Sequence, residues 1–168
     1  MTATLKLPNG KEIAVTVTEE QLKELETSVK KTGYERCKHY GVYYLENTIG
    51  EIDSLYDDSI YDDNLYKSGN YYSDKTVAEN NAKADTLMRK LRRFAVEHRE
   101  HELDWNNRCQ IKWFINYDYV HKSLDVYCRN HVREFNTIYF DSEETAKAAI
   151  EEFKDELIWY FTEYKDSL

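Results

Sequence analysis

The chain has 168 residues, 41% of them apolar and 33% charged, which predicts a folded domain rather than a disordered segment, with room for one small added module. Its net charge of −9 opposes nonspecific binding to nucleic acid or to an anionic membrane surface. Three cysteines, Cys37, Cys109 and Cys128, have neither a paired nor a zinc-like spacing, so a disulfide framework is excluded and reduced thiols in the cytoplasm are expected. Met1–Leu7 lacks a basic region followed by an apolar run, and no apolar stretch reaches membrane-spanning length, so neither a signal peptide nor a membrane anchor is expected.

Thr4–Leu7 and Glu12–Val17 alternate with period two around Pro8-Asn9-Gly10, which predicts a hairpin. Thr18 with Gln21 three residues later has the form of a capping box, and Leu22, Leu25 and Val29 fall on one helical face. Gly33 follows as the helix C′ residue. Tyr40–Leu45 and Ile52–Leu55 read as strands joined by the turn Asn47-Thr48-Ile49-Gly50. An acidic, tyrosine-rich stretch, read as a loop, runs from Tyr56 to Lys67, and Ser68-Gly69-Asn70 turns into a short Tyr71-Tyr72 strand. Ser73 or Asp74 caps a helix predicted to about His98, with Ala84, Leu87, Met88, Leu91, Phe94 and Ala95 as its apolar stripe.

The last third has the same order. Ile111, Trp113, Ile115 and Tyr117 alternate, Asp118–Lys122 turns, and Leu124, Val126 and Cys128 alternate back. Thr137–Phe140 reads as a short strand, and Asp141 or Ser142 caps a helix carrying Ala146, Ala149, Ile150, Phe153 and Leu157 on one face. A helical aromatic tail through Trp159, Tyr160 and Phe161 closes the chain. At an offset of 68, Tyr71 falls on Tyr139, Tyr72 on Phe140 and Ala78 on Ala146. A degenerate repeat and a convergent layout both explain this. The expected fold is α+β, with antiparallel strands and helices on one face of a sheet. An N-terminal ββα module (1–35) precedes a main domain (36–168) of two degenerate ββ(β)α units, 36–105 and 106–168.

Four stretches carry a resemblance: Ser68-Gly69-Asn70-Tyr71-Tyr72, Leu91-Arg92-Arg93-Phe94-Ala95, Leu103-Asp104-Trp105-Asn106 and the run from Ile138 to Ala146. Over roughly residues 40–165 the chain resembles a family of small acidic proteins encoded by phages and prophages of low-GC Gram-positive gut bacteria. The resemblance implies a phage accessory role of the anti-CRISPR or wider anti-defence kind. Its motifs are structural, so it carries over no site residue.

The most distinctive candidate site is the acidic surface Glu51, Asp53, Asp57, Asp58, Asp62 and Asp63, interleaved with Tyr56, Tyr61 and Tyr66. Carboxylates held on a rigid surface imitate the phosphates that a basic groove accepts. A solvated loop and a calcium site are the other readings, although the glycine and terminal glutamate of an EF-hand loop are missing. Arg89, Lys90, Arg92 and Arg93 form an alternative basic patch, suited to phosphates or to helix ion pairs. His98 and His101 stand three apart without the pattern of the zinc peptidases. Cys37 near His39 and Cys128 near His131 read as core thiols rather than nucleophiles.

No catalytic residue, metal or cofactor is expected. The leading functional expectation is a non-enzymatic inhibitor whose acidic surface binds a basic protein such as a CRISPR-associated nuclease, without membrane or direct nucleic-acid binding. Capture of a nucleotide signal through Arg89, Arg92 and Arg93, or an assembly role through the Trp159–Tyr164 tail, are the alternatives. The oligomeric state is left open.

Overall fold

A computed structural model describes residues 2–6, 10–16, 18–21 and 31–166. Contacts divide the chain into two units, Met1–Thr32 and Gly33–Leu168.

In the first unit, β1 (Thr2–Lys6) and β2 (Glu12–Thr16) pair antiparallel from Thr2 opposite Thr16 to Lys6 opposite Glu12. Gly10 takes the positive φ of 80° that the turn between them requires. Thr18 and Gln21 form the reciprocal box: the Gln21 N–H donates to Thr18 Oγ1 at 3.2 Å and the Thr18 N–H to Gln21 Oε1 at 3.1 Å. The Pro8-Asn9 part of the turn and the Leu22, Leu25, Val29 stripe lie outside the described residues.

The second unit is α+β. Its elements are β3 (Val42–Glu46), β4 (Ile52–Tyr56), α1 (Ile60–Ser68), α2 (Lys75–Glu97), β5 (Lys112–Asp118), β6 (Ser123–Arg129), α3 (Glu143–Glu152) and α4 (Lys154–Thr162). Side chains fix the turns. Asn47 Oδ1 accepts from the Ile49 and Glu51 amides between β3 and β4, and Asp118 Oδ1 accepts from Val120 and His121 between β5 and β6. Asp74 caps α2 by accepting from the Val77 amide, and Ser142 caps α3 by accepting from Thr145.

The helix α2, about 35 Å long at 1.5 Å per residue, joins two clusters. Its first turns bury Val77 and Ala78 with Tyr72, Tyr44 and Ile52 of the β3–β4 region. Its later turns bury Leu87, Leu91 and Ala95 with Phe140, Ala146, Ala149 and Leu157. The expected stripe is therefore the core-facing stripe.

The expectation of one sheet with both helices on the same face is corrected. The strands of the second unit form two separate hairpins, β3–β4 and β5–β6. The helix α2 packs on the first and α3 on the second, so each hairpin covers its own helix. The short third strands shrink to single bridges, Tyr72 with Tyr44 and Phe140 with Trp113. The final helix is also broken where it was expected to be continuous. Phe153, at φ −114° and ψ 23°, leaves the helical region and separates α3 from α4.

Trp113 and Ile115 of β5 pack against the main core as their alternation predicts, but the opposite face of the strand is the more deeply buried one. Lys112 and Phe114 are its buried residues, whereas Trp113, Ile115 and Tyr117 are only partly covered. The Lys112 ammonium donates to the carbonyls of Asn107 (3.0 Å), Gln110 (2.9 Å) and Asn130 (3.1 Å). Three acceptors satisfy its three donors, which is what allows a lysine inside.

Candidate functional site

The acidic stretch is not a loop. Ser59 caps α1, and the Asp62 carboxylate accepts from the Ser59 N–H (2.7 Å), the Ser59 hydroxyl (2.9 Å) and the Asp58 N–H (2.9 Å). Gly69, at φ 82°, ends the helix with its N–H on Tyr66 O, while Asn70 N–H reaches Leu65 O. The sequence does carry this signal, an N-cap serine three residues before an aspartate and a closing glycine.

Two of the six expected surface carboxylates point inward, which corrects their assignment. Asp57 is 5% exposed and Asp62 2%. Asp57 receives Arg36 through Nε and Nη2, the latter at 2.7 Å, and the Tyr71 hydroxyl at 2.8 Å. Tyr71 in turn accepts from the Cys37 amide at 3.0 Å. The Tyr43 hydroxyl donates to Asp62 Oδ1 at 2.5 Å, and the Tyr43 and Tyr71 rings stack with centroids 4.1 Å apart. These carboxylates are buried because each oxygen finds a donor.

The electrostatics follow from the same contacts. The Arg36 guanidinium, helped by the Tyr71 hydroxyl, holds the Asp57 carboxyl below its ordinary range. Asp62 is lowered to about 2, first by Tyr43 and then by the Asp58 and Ser59 groups, against the cost of burial. Burial, with the neighbouring carboxylate, pushes the Tyr43 phenol up, so it stays a donor.

The remaining acidic residues do reach solvent. Glu51, Asp53 and Asp58 are exposed, and Asp63 is partly exposed with one oxygen 2.7 Å from Arg36 Nη1. Beside them Leu55 (39%), Tyr56 (63%), Ile60 (80%) and Tyr61 (56%) are uncovered. In each Asp-Asp pair the first residue is buried and the second reaches solvent.

The expected basic patch is mostly neutralised. Arg89 pairs with Glu46 at 2.6 Å, Lys90 with Glu156 at 2.7 Å and Arg93 with Glu97 at 3.9 Å. Arg92 faces away from these, with the Asn136 amide oxygen at 3.5 Å. The aromatic tail is folded onto its own chain. Lys83 sits 3.7 Å from the Trp159 ring centroid, the Tyr164 hydroxyl donates to Asn81, and the Tyr119 hydroxyl donates to the Phe161 carbonyl.

Cys128 and Cys109 are exposed and only Cys37 is partly covered, so the core reading of Cys128 is corrected. Cys128 lies near the end of β6, where the strand leaves the core. The His98 Nδ1–H donates to the Phe94 carbonyl oxygen at 2.9 Å, and its ring stacks on the Phe94 ring. Among the described residues no group of three or more His, Cys, Asp or Glu side chains is placed to hold a metal ion. No helix among them is long and apolar enough to cross a membrane.

Sequence reading singled out neither Arg36 nor Lys112. Their partners lie in other parts of the fold, and no local pattern marks them. Compared with known proteins, the chain matches no family model, no curated protein and no solved structure.

Proposed function

We propose that the protein acts by binding rather than by catalysis. In this reading it is a phage-borne inhibitor, working in the bacterial cytoplasm, that docks an acidic and aromatic surface onto the basic groove of a host defence nuclease of the CRISPR-associated kind. The observation that carries the proposal is the exposure of Asp53, Leu55, Tyr56, Asp58, Ile60 and Tyr61 in the same segment that holds the buried anchors Asp57 and Asp62. Exposed carboxylates supply steering and register toward a basic partner. Exposed tyrosines and aliphatic side chains supply the desolvated contact area that charge alone does not give. The anchors hold both in place, so little ordering entropy is lost on binding.

The experiment is the salt dependence of association between the purified protein and a panel of purified CRISPR-associated nucleases. A nuclease that binds faster at low salt, and slower with E51Q/D53N/D58N, supports the reading. Binding to none of them, or binding indifferent both to salt and to those substitutions, counts against it.

A further inference from the structure

A second feature of the molecule lies away from the acidic surface. A hollow of about 410 Å³ opens between the end of α2 and the loop that leads into α3. That volume falls in the range of small-ligand sites, about 300–1,000 Å³. In a chain of net charge −9, three arginines line it: Arg92, Arg99 and Arg133. Arg99 has one carboxylate partner, Glu102 at 2.6 Å, which is 81% exposed at its side chain. Arg92 and Arg133 have no carboxylate partner among the described residues.

The other wall is aromatic. Trp105 and Tyr139 line the same hollow and meet edge to face with centroids 4.8 Å apart. The Arg133 guanidinium lies 5.7 Å from the Trp105 centroid. Asp141 helps to shape the same hollow: one of its oxygens accepts from the Glu100 and His101 amides at 2.6 and 3.0 Å and so holds the segment after α2 in place.

We infer that this hollow is a binding site for a nucleoside phosphate, with the phosphate on Arg92, Arg99 and Arg133 and the base against Trp105 and Arg133. Each component answers one part of that ligand. Guanidinium groups match phosphate oxygens in a fixed fork, and planar bases stack on indole and guanidinium faces. The net negative charge selects a small phosphate ester over a nucleic-acid polymer, because a polymer meets the rest of the acidic surface as well.

The test is isothermal titration of the purified full chain with the four common ribonucleoside 5′-monophosphates, with the matching nucleosides and inorganic phosphate as separate probes. At least one monophosphate binds saturably, and its nucleoside and phosphate alone bind at least about tenfold more weakly. Arg92→Gln and Arg133→Gln, at exposed positions, keep the wild-type melting temperature and weaken that monophosphate roughly ten- to hundredfold, the loss expected for a charge-assisted contact. Trp105→Leu reduces affinity further for the nucleotide than for phosphate. Absence of saturable binding by all four monophosphates overturns the site, as does equal affinity for phosphate alone or binding unaffected by Arg133→Gln.

Discussion

Arg36 and Asp57 form a two-pronged pair, Nε and Nη2 of the guanidinium meeting both oxygens of a carboxylate that is 5% exposed. The pair fastens the segment before β3 to the residue after β4. The Tyr71 hydroxyl, from the segment that follows α1 in the chain, joins the same carboxylate. What reads in sequence as one acidic run is therefore split into structural and outward-facing halves.

The first prediction separates those halves. Asp57→Asn removes the buried carboxylate that Arg36 and the Tyr71 hydroxyl share and leaves Arg36 only the more exposed Asp63, and removing the buried member of a hydrogen-bonded charge pair is destabilising. Thermal denaturation should show a drop of at least about 5 °C. Asp58→Asn, one residue along and exposed, should change stability by no more than about 0.5 kcal/mol. Equal melting temperatures for the two variants would contradict the assignment of Asp57 to the interior.

Acid stability should follow from the lowered carboxylates. In the unfolded chain Asp57 and Asp62 titrate near the ordinary aspartate value of about 3.9. In the folded chain Asp62 is lowered to about 2 and Asp57 is lowered too. Their stabilisation is thus complete above about pH 4 and is lost as pH falls toward 2, because the unfolded state takes up protons first. Urea midpoints measured from pH 5 to pH 2 should decline steeply. Asp62→Asn should have a lower midpoint at pH 5 and a shallower decline below pH 4, whereas a slope identical to wild type would show that Asp62 is not a contributor.

Lys112→Met tests the buried ammonium. It keeps an unbranched apolar stem, one atom shorter, and removes all donors to Asn107, Gln110 and Asn130. A loss of roughly 1–3 kcal/mol is expected for stranding buried acceptors. Hydrogen exchange should rise first in residues 107–110. A methionine variant as stable as wild type would mean that those carbonyls find other donors.

Core packing makes a graded prediction. Leu91 is 5% exposed and central to the cluster shared by α2, α3 and α4. Leu91→Ala should cost about 2–5 kcal/mol by chemical denaturation. Phe153, only partly buried at the break between α3 and α4 and edge-on to Phe94, should cost less than about 3 kcal/mol on the same change. The reverse order would move the centre of the core to the helix break.

Local signals were sufficient for much of the architecture. The turn at Asn47–Gly50, the caps, narrowed to Ser73 or Asp74 and to Asp141 or Ser142, and the Leu87, Leu91, Ala95 stripe depend on residues close together in the chain, where period and turn chemistry act. The burial of Asp57 and Lys112 was not readable in that way, and of Asp62 only the capping role was. Asp57 is buried because of Arg36, 21 residues earlier, and Tyr71, 14 later; Asp62 takes local donors from Asp58 and Ser59 and a distant one from Tyr43, 19 earlier. A carboxylate in an acidic run, or a lysine alternating with apolar residues, has solvent as its default, and only distant partners reverse it. The separation of the hairpins was hidden for a similar reason. Strand alternation says which residues face inward but not whether the neighbour is a strand or a helix.

Inhibition of a purified CRISPR-associated nuclease tests the functional account most directly. Cleavage of its target DNA is followed against increasing protein, wild type beside E51Q/D53N/D58N and beside Y56A/Y61A, all at exposed positions. The account predicts a nuclease in the panel that wild type inhibits near stoichiometry. It also predicts that the charge variant needs roughly tenfold more protein and loses its salt dependence, and that the tyrosine variant fails mainly by faster release. Undiminished cleavage by every nuclease at excess wild-type protein, or inhibition that all three proteins share equally, would contradict it.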